Sequence, residues 1–219
     1  MQWHKRVTRN VWRWPVKLAT VLFFCIIVLI CAKPLLVAAG RYLSMPSSDQ
    51  HCDALILPSG ATVSNYFMNE AIGCYRTGQV DHIIIVMHEY DLPSSVFGLD
   101  HYDELLMQEI HRRGIADSVV IPLYLKVSDP YTLNTARALV QPLQRRGIQS
   151  ILLLQDNFHI RRSVLTFRKV LEPWDIQVYP RVLNIYLDES NWYRSANGWR
   201  RVIDEYIKLI FYRINGYLE

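Results

Sequence analysis

The stretch that most constrains the fold is residues 151–170, where a buried strand is followed by an amphipathic helix. Residues 151–154 (ILLL) form a short apolar run of the length that a fully buried parallel strand needs. Polar residues 155–157 end the run, and apolar residues then recur every three to four positions. Open α/β sheets place their ligand sites at such strand-to-helix turns. The sequence therefore predicts a pocket here.

The same alternation of strand and helix runs through most of the chain. Further strands are predicted at residues 53–57, 82–87, 119–124 and 176–179, and helices at residues 62–77, 102–113, 132–146 and 197–216. Strands that alternate with helices form a parallel sheet covered on both faces, and right-handed crossovers leave few topologies. We therefore expect a Rossmann-like, doubly wound α/β fold with a mainly parallel sheet of about five strands. Pro122 places the third strand near an edge of that sheet.

Charge is distributed unevenly along the chain. Seven of the 24 Lys and Arg residues lie in the first 41 positions, which hold no acidic residue. The other 17 basic residues and all 20 acidic ones give residues 42–219 a net charge of −3. A mildly acidic domain lacks the basic footprint of a nucleic-acid-binding protein, so we expect no nucleic-acid partner.

Residues 18–40 form an apolar run that predicts one transmembrane helix, with Lys33 near its far end. Five basic residues precede the run and two lie in or just after it. The positive-inside rule then keeps residues 1–17 in the cytoplasm and places residues 51–219 outside, after a linker at 41–50. This predicts a single-pass protein of the bacterial inner membrane with a periplasmic domain. A cleaved signal peptide is the alternative, but the long basic lead favours the anchor.

The cysteines leave a disulfide open, and the acidic loop residues match no metal site. Cys52 and Cys74 would face an oxidising compartment, where a disulfide is chemically allowed, but two buried free thiols are the more ordinary interpretation. No Cys/His spacing matches a zinc site, and His88, Glu89 and Asp91 match no metal motif.

Polar residues are concentrated in the four strand-to-helix loops, at residues 58–62, 88–98, 126–135 and 155–162. In a parallel sheet these loops meet at one edge, where ligands bind. Ser59 and Gly60 precede a predicted helix start, where free backbone N–H groups can hold an anion, although a plain tight turn explains them equally well. Asn134 and Thr135 lie near another helix start, where such residues are more often caps than ligands.

The fourth loop offers the strongest candidates for binding an anion. Arg161 and Arg162 have forked guanidinium groups that suit a phosphate or carboxylate, and His159 adds a titratable donor. The alternative is that the arginines are solvated helix residues and His159 caps a turn. The position of the loop favours a site, in which His159 could act as acid or base.

The C-terminal segment between residues 192 and 217 is rich in Trp, Tyr and Phe. Core packing against the sheet is the interpretation that helical spacing favours. Contact with the membrane surface is the alternative, because Trp and Tyr prefer that interface.

Several short motifs resemble the YdcF/SanA/ElyC-like family in order and spacing. They are residues 53–60 (DALILPSG), 70–71 (EA), 75–78 (YRTG), 134–136 (NTA), 158–163 (FHIRRS) and 205–206 (EY), together with Lys208 and Tyr212. The resemblance covers roughly residues 53–217 and implies a Rossmann-like fold and a role in the bacterial envelope, in peptidoglycan or lipid-carrier metabolism. One member of the family is associated with S-adenosylmethionine binding, so the resemblance alone implies S-adenosylmethionine as a possible cofactor of this chain. Matching positions would place these residues in the pocket: Ser59, Gly60, Asn134, Thr135, His159, Arg161 and Arg162.

The chain departs from the family pattern at two loops and one helix. Pro58-Ser59 and Met87-His88-Glu89 stand where glycine-rich turns are usual, and Arg137 stands where an acidic or amide residue is common. Glycine lets a backbone approach a phosphate closely, so these changes weaken the case for a cofactor. Two hypotheses follow. The pocket binds an anionic envelope metabolite such as a sugar phosphate or lipid-carrier phosphate, or the protein is a non-enzymatic subunit of a polysaccharide synthesis, export or cell-wall assembly complex. The sequence does not decide whether the protein is an enzyme.

Overall fold

The computed structural model describes residues 13–58, 65–88, 102–185 and 187–219. The predicted site residues Ser59 and Gly60 lie outside these ranges, as does most of the predicted second loop. The described strands are β1 (Cys52–Pro58), β2 (Val80–His88), β3 (Val120–Leu125), β4 (Ser150–Asp156) and β5 (Gln177–Leu183). The described helices are α1 (Arg13–Leu43), α2 (Asn65–Arg76), α3 (Tyr102–Arg112), α4 (Tyr131–Arg145), α5 (Ile160–Leu171) and α6 (Ala196–Ile214).

The five strands form one parallel sheet in the order β3-β2-β1-β4-β5. Leu55 of β1 lies opposite Ile83 of β2 on one side and Leu152 of β4 on the other. The chain winds outward from β1 to β3 and then crosses back to β4, so the switch point of this doubly wound sheet lies between β1 and β4. The predicted α/β fold is confirmed, and so is the edge position of the strand that contains Pro122.

Helices cover both faces of the sheet, because successive residues of a buried strand point to opposite sides. Leu55 packs on one face within a core that includes Met68 of α2 and Ile110 of α3. Ile56 packs on the other face with residues of α4 and α5, including Leu139. These two cores explain why the strands are apolar throughout rather than alternating.

A third apolar cluster joins α6 to the C-terminal end of α1. Trp192, Val202, Leu209 and Tyr212 are buried there with Leu43 of α1. Trp192 and Tyr212 are therefore core residues, as predicted, but this core lies against α1, α4 and α5 rather than against the sheet. Two other aromatic residues of the segment are only partly buried, because 41% of Trp199 and 49% of Phe211 is exposed.

Within the part of the chain that the structure describes, no helix is both long enough and apolar enough to cross a membrane. The side chains of Cys25 and Cys31, which the sequence places in the predicted span, lie outside the described part.

The two cysteines of the sheet domain are free thiols, as predicted. Cys52 and Cys74 are both buried in the core between the sheet, α2 and α3. Burial, with a smaller effect from Asp53, raises the pKa of the Cys52 thiol to about 11. Both side chains therefore act as small apolar groups.

Candidate functional site

The turn between β4 and α5 lies at the switch point of the sheet and is held by contacts with the C-terminal segment. The Asp156 carboxylate accepts a hydrogen bond from the Phe158 backbone N–H at 3.2 Å and pairs with Arg201 of α6 at 3.1 Å. Asn157 is buried and donates its Nδ2 hydrogen to the Leu187 carbonyl at 2.8 Å. These contacts fix the direction in which the next residue, His159, enters α5.

A buried ion pair between α5 and α6 forms the centre of the site. The Arg162 guanidinium, 5% exposed, donates from Nε to Glu205 Oε2 at 3.0 Å and from Nη2 to Glu205 Oε1 at 3.1 Å. Its Nη1 donates to Thr132 Oγ1 of α4 at 2.9 Å, and the group lies over the Tyr212 ring at 4.9 Å. This two-pronged geometry is the strong form of an Arg–carboxylate contact, and here it ties three helices together.

His159 completes the cluster as a hydrogen-bond acceptor. Its Nδ1 lies 2.7 Å from Arg162 Nη2 and 3.3 Å from Glu205 Oε2. Because a guanidinium nitrogen can only donate, the shorter contact makes Nδ1 the acceptor and puts the ring proton on Nε2. Within the described residues no protein group bonds to Nε2, which leaves its N–H for a partner outside the cluster.

The cluster holds Glu205 as a carboxylate. Burial raises the pKa of the Glu205 carboxyl, whereas the hydrogen bonds and positive charge of Arg162 lower it, and the resulting pKa lies well below its usual range. A buried carboxylate paired in this way keeps the Arg162 charge compensated and its fork fixed.

Two adjoining clefts open beside this cluster and share His159, Arg162 and Lys208. The larger, of about 710 Å³, has an apolar wall that includes Tyr131, Ile207 and Phe211, and we call it the His159 cleft. The smaller, of about 610 Å³, is lined by charged residues: Asp156, Arg162, Arg200, Arg201, Asp204, Glu205 and Lys208. Together they present an apolar surface next to a charged one, in which basic side chains are paired with carboxylates.

Lys208 is the most available cation at the boundary of the two clefts. Its side chain is 47% exposed and pairs with Asp204 at 2.6 Å, and its Nζ lies 3.6 Å from Glu205 Oε1. An exposed pair of this kind contributes about 1 kcal/mol or less. Breaking the pair with Asp204 so that Lys208 can bind another anion therefore costs little.

Of the predicted site residues in the described part of the chain, the structure brings together His159 and Arg162. Arg161 instead donates to the Tyr42 carbonyl and, at 3.1 Å, to the Ser44 carbonyl at the end of α1. Asn134 donates to the Ser128 carbonyl at 2.8 Å, and Thr135 is buried inside α4. These three side chains serve the fold where they stand.

Glu205, Lys208 and Thr132 belong to the site but were not predicted as site residues. A signal for Glu205 was present, since it falls on the buried spacing of α6 between Val202 and Leu209. A carboxylate at such a position needs a buried cation, and the two arginines of α5 were the available partners. No comparable pattern marks Thr132.

The described residues contain no group of three or more His, Cys, Asp and Glu side chains that could hold a metal ion. A cavity of about 420 Å³ at the other end of β5, lined partly by Glu172 and Gln177, includes none of the predicted site residues.

No protein-family model matches the chain, and no curated protein matches it. The site must therefore be interpreted from its own geometry.

Proposed function

We propose that the protein is a membrane-anchored, periplasmic protein of the bacterial envelope that binds an anionic, phosphorylated metabolite in the His159 cleft. The observation that carries the proposal is the His159–Arg162–Glu205 cluster at the switch point, which leaves the Nε2 proton of His159 unused beside Lys208. An imidazole N–H and an ammonium group together suit a phosphate oxygen.

In this proposal the residues have separate roles. Lys208 binds the anion, and the Nε2 N–H of His159 donates a hydrogen bond to it. Arg162 and Glu205 position His159 rather than touching the ligand, because their polar atoms are already engaged with one another. The apolar wall of the cleft accommodates a hydrocarbon part of the ligand.

The membrane anchor is part of the same proposal. It is supported by the full sequence of residues 16–40, which includes four side chains that the structure does not describe, and by the 31-residue length of α1. Large apolar side chains along this helix are exposed: Trp14, Leu18, Phe23, Phe24, Ile30 and Leu35. The basic residues before the span support an N-terminus in the cytoplasm. Membership of the YdcF/SanA/ElyC-like family is proposed on the motifs quoted above.

The experiment is a thermal-stability screen of the full chain in detergent against sugar phosphates, nucleotide sugars, isoprenoid phosphates and S-adenosylmethionine. S-adenosylmethionine is included because the resemblance implies it, although ammonium and imidazole donors suit a phosphate better than a sulfonium cation. A ligand at a hundred times its Kd should stabilise the fold by roughly 2.7 kcal/mol.

The shift should vanish in His159→Ala and persist in His111→Ala, a histidine outside both clefts. A shift that is equal in both variants would place the ligand elsewhere and contradict the proposal.

The second candidate is a non-enzymatic accessory subunit of a polysaccharide or cell-wall assembly complex. The observation that favours it is the engagement of both arginines of α5 by the protein itself, since Arg161 holds α1 and Arg162 holds Glu205. Co-purification of a membrane partner that persists in His159→Ala, with no ligand found in the screen, would favour this candidate.

A further inference from the structure

Helix α6 is apolar on two faces. Its inner face is formed by Gly198, Val202, Glu205, Leu209 and Tyr212, which are buried. A second face carries a row of exposed apolar residues spaced by four, four, three and four positions, which we call the outer stripe: Trp199, Ile203, Ile207, Ile210 and Ile214. Trp199 is its partly covered end, because its ring packs edge-on against Trp192 at 4.9 Å. Exposure along the stripe runs from 41% at Trp199 to 79% at Ile214.

A continuous apolar stripe of this length requires a cover. An ordinary surface helix has one apolar face, and a helix that is apolar on both faces packs against something on both. Large exposed apolar patches on soluble proteins mark surfaces that bind a protein or a membrane.

The position of α1 indicates which cover this is. The Leu36 carbonyl accepts from Trp192 Nε1 at 2.9 Å, and the Ala39 carbonyl accepts from the Tyr206 hydroxyl of α6 at 2.9 Å. The part of α1 before Leu36, residues 13–35, spans roughly 34 Å at ~1.5 Å per residue. That length fits a hydrocarbon core of ~30 Å. If α1 is the anchor, α6 lies where the helix leaves the bilayer.

Charge around the stripe points to the same cover. Arg200 and Arg213 are exposed on α6. Trp199 begins the stripe. Basic side chains beside an apolar helix face with a tryptophan are typical of a helix lying in the headgroup region of an anionic membrane.

We propose that the outer stripe of α6 is a bilayer-docking surface that lies in the interfacial region of an anionic membrane. The inference rests on the proposed anchor and deepens it. Ile207, a stripe residue, also lines the His159 cleft. Docking through the stripe brings the mouth of this cleft to the membrane surface. The ligand class is then an amphiphile, with its phosphate at Lys208 and its hydrocarbon part along the apolar wall.

The test measures lipid contact at single positions in the full chain, reconstituted in vesicles of phosphatidylglycerol and phosphatidylethanolamine. A thiol-reactive fluorophore is placed on Ile210→Cys or Ile214→Cys, neither of which lines the cleft. Gln144→Cys, exposed on α4, is the matched control. The parent chain gives the background from its native cysteines. Lipids with a nitroxide near the headgroup should quench both stripe labels and leave the Gln144 label unchanged.

Extraction with alkaline carbonate tests the anchor separately. Quenching at Ile210 no stronger than at Gln144, in a chain that resists extraction, would overturn the stripe and leave the anchor standing. Cross-linking of Ile210→Cys between two copies without lipid quenching would also overturn it and assign the stripe to a dimer. Extraction of the chain would overturn the anchor. If the stripe labels are quenched before extraction, the docking surface is still supported. If they are not quenched, both the anchor and the docking surface are overturned.

Discussion

At the residue scale, the arginine pair of α5 shows how neighbouring positions acquire unrelated tasks. Arg162 points to the inner face of α6 and pairs with Glu205, whereas Arg161 reaches the carbonyl groups at the end of α1. Two guanidinium groups in one turn suggested a joint anion site. Because successive residues on a helix are about 100° apart, the two side chains instead serve different partners.

Replacing Glu205 tests the buried cluster. Glu205→Gln leaves the Arg162 charge buried and uncompensated, so we expect the free energy of unfolding to fall by about 3 kcal/mol. Asp204→Asn, on the next residue, removes only the exposed pair with Lys208 and should change stability by less than about 1 kcal/mol. Urea unfolding of the full chain in detergent measures both. Equal effects would show that the cluster is not buried as described.

The same carboxylate predicts the direction of a pH effect. The pKa of Glu205 is lowered in the folded state from the usual 4.5, so its ionisation stabilises the fold above about pH 4.5. This contribution is lost progressively as the pH falls further, because the unfolded state then binds a proton that the folded state does not. Thermal unfolding between pH 6 and roughly pH 3 should show a steeper loss for the wild type than for Glu205→Gln. Parallel profiles would contradict the assignment.

At the element scale, the C-terminal end of α1 is built into the domain. Gly40 lies so close to Trp192 and the Glu189 carbonyl that an added Cβ would come within 2.7 Å of the indole and 2.6 Å of the carbonyl oxygen. The Tyr42 and Tyr206 rings stack at 6.2 Å just beyond it. The junction between helix and domain is therefore packed rather than a loose tether.

Gly40→Ala tests this junction with a second helical glycine as its control. The added methyl overpacks the contact with Trp192, and we expect a loss of about 1–3 kcal/mol. Gly73→Ala, within α2, meets no atom within 4 Å and should stabilise the protein by about 0.5–1 kcal/mol. Thermal unfolding of both variants gives the comparison. A neutral Gly40→Ala would mean that α1 does not dock as described.

The sequence predicted every strand and each described helix of the sheet domain, with ends displaced by a few residues. The predicted fifth strand, residues 176–179, extends to Leu183, because its continuation pairs with Gln155 and Asp156 of β4. That pairing depends on β4, which α5 separates from β5 in the sequence, so the local pattern of residues 176–183 cannot reveal it. The candidate site was predicted less fully for the same reason, since Glu205 and Thr132 reach His159 and Arg162 only through the packing of three helices.

At the scale of the whole molecule, the doubly wound sheet places His159 and Arg162 at the edge where its strands end, and α6 packs beside them. Helix α6 thereby contributes to the His159 cleft, the buried ion pair and the contact with α1. Because α6 has these three roles, the aromatic C-terminal segment is not simply a core helix. Its inner face packs, and its outer face stays exposed.

The proposed topology gives a prediction about the intact cell. Protease added to spheroplasts should degrade the domain at residues 51–219. The basic N-terminus stays in the cytoplasm, so the domain after the span lies on the outer side of the membrane. A tag before residue 13 should be degraded only after the membrane is disrupted. The reverse pattern would place the domain in the cytoplasm and contradict the envelope assignment.

The most direct test of the central claim is a calorimetric titration of the full chain in detergent with an isoprenoid phosphate and with the corresponding isoprenoid alcohol. Both ligands can use the apolar wall of the His159 cleft, but only the phosphate is negatively charged and has several oxygens that can accept from Lys208 and His159 together. Charge-assisted hydrogen bonds are worth about 1.5–3 kcal/mol, so the phosphate should bind roughly tenfold more tightly or better. Lys208→Ala should remove most of that difference. Equal affinity for the two ligands, or a difference that Lys208→Ala and His159→Ala both leave intact, would contradict the account.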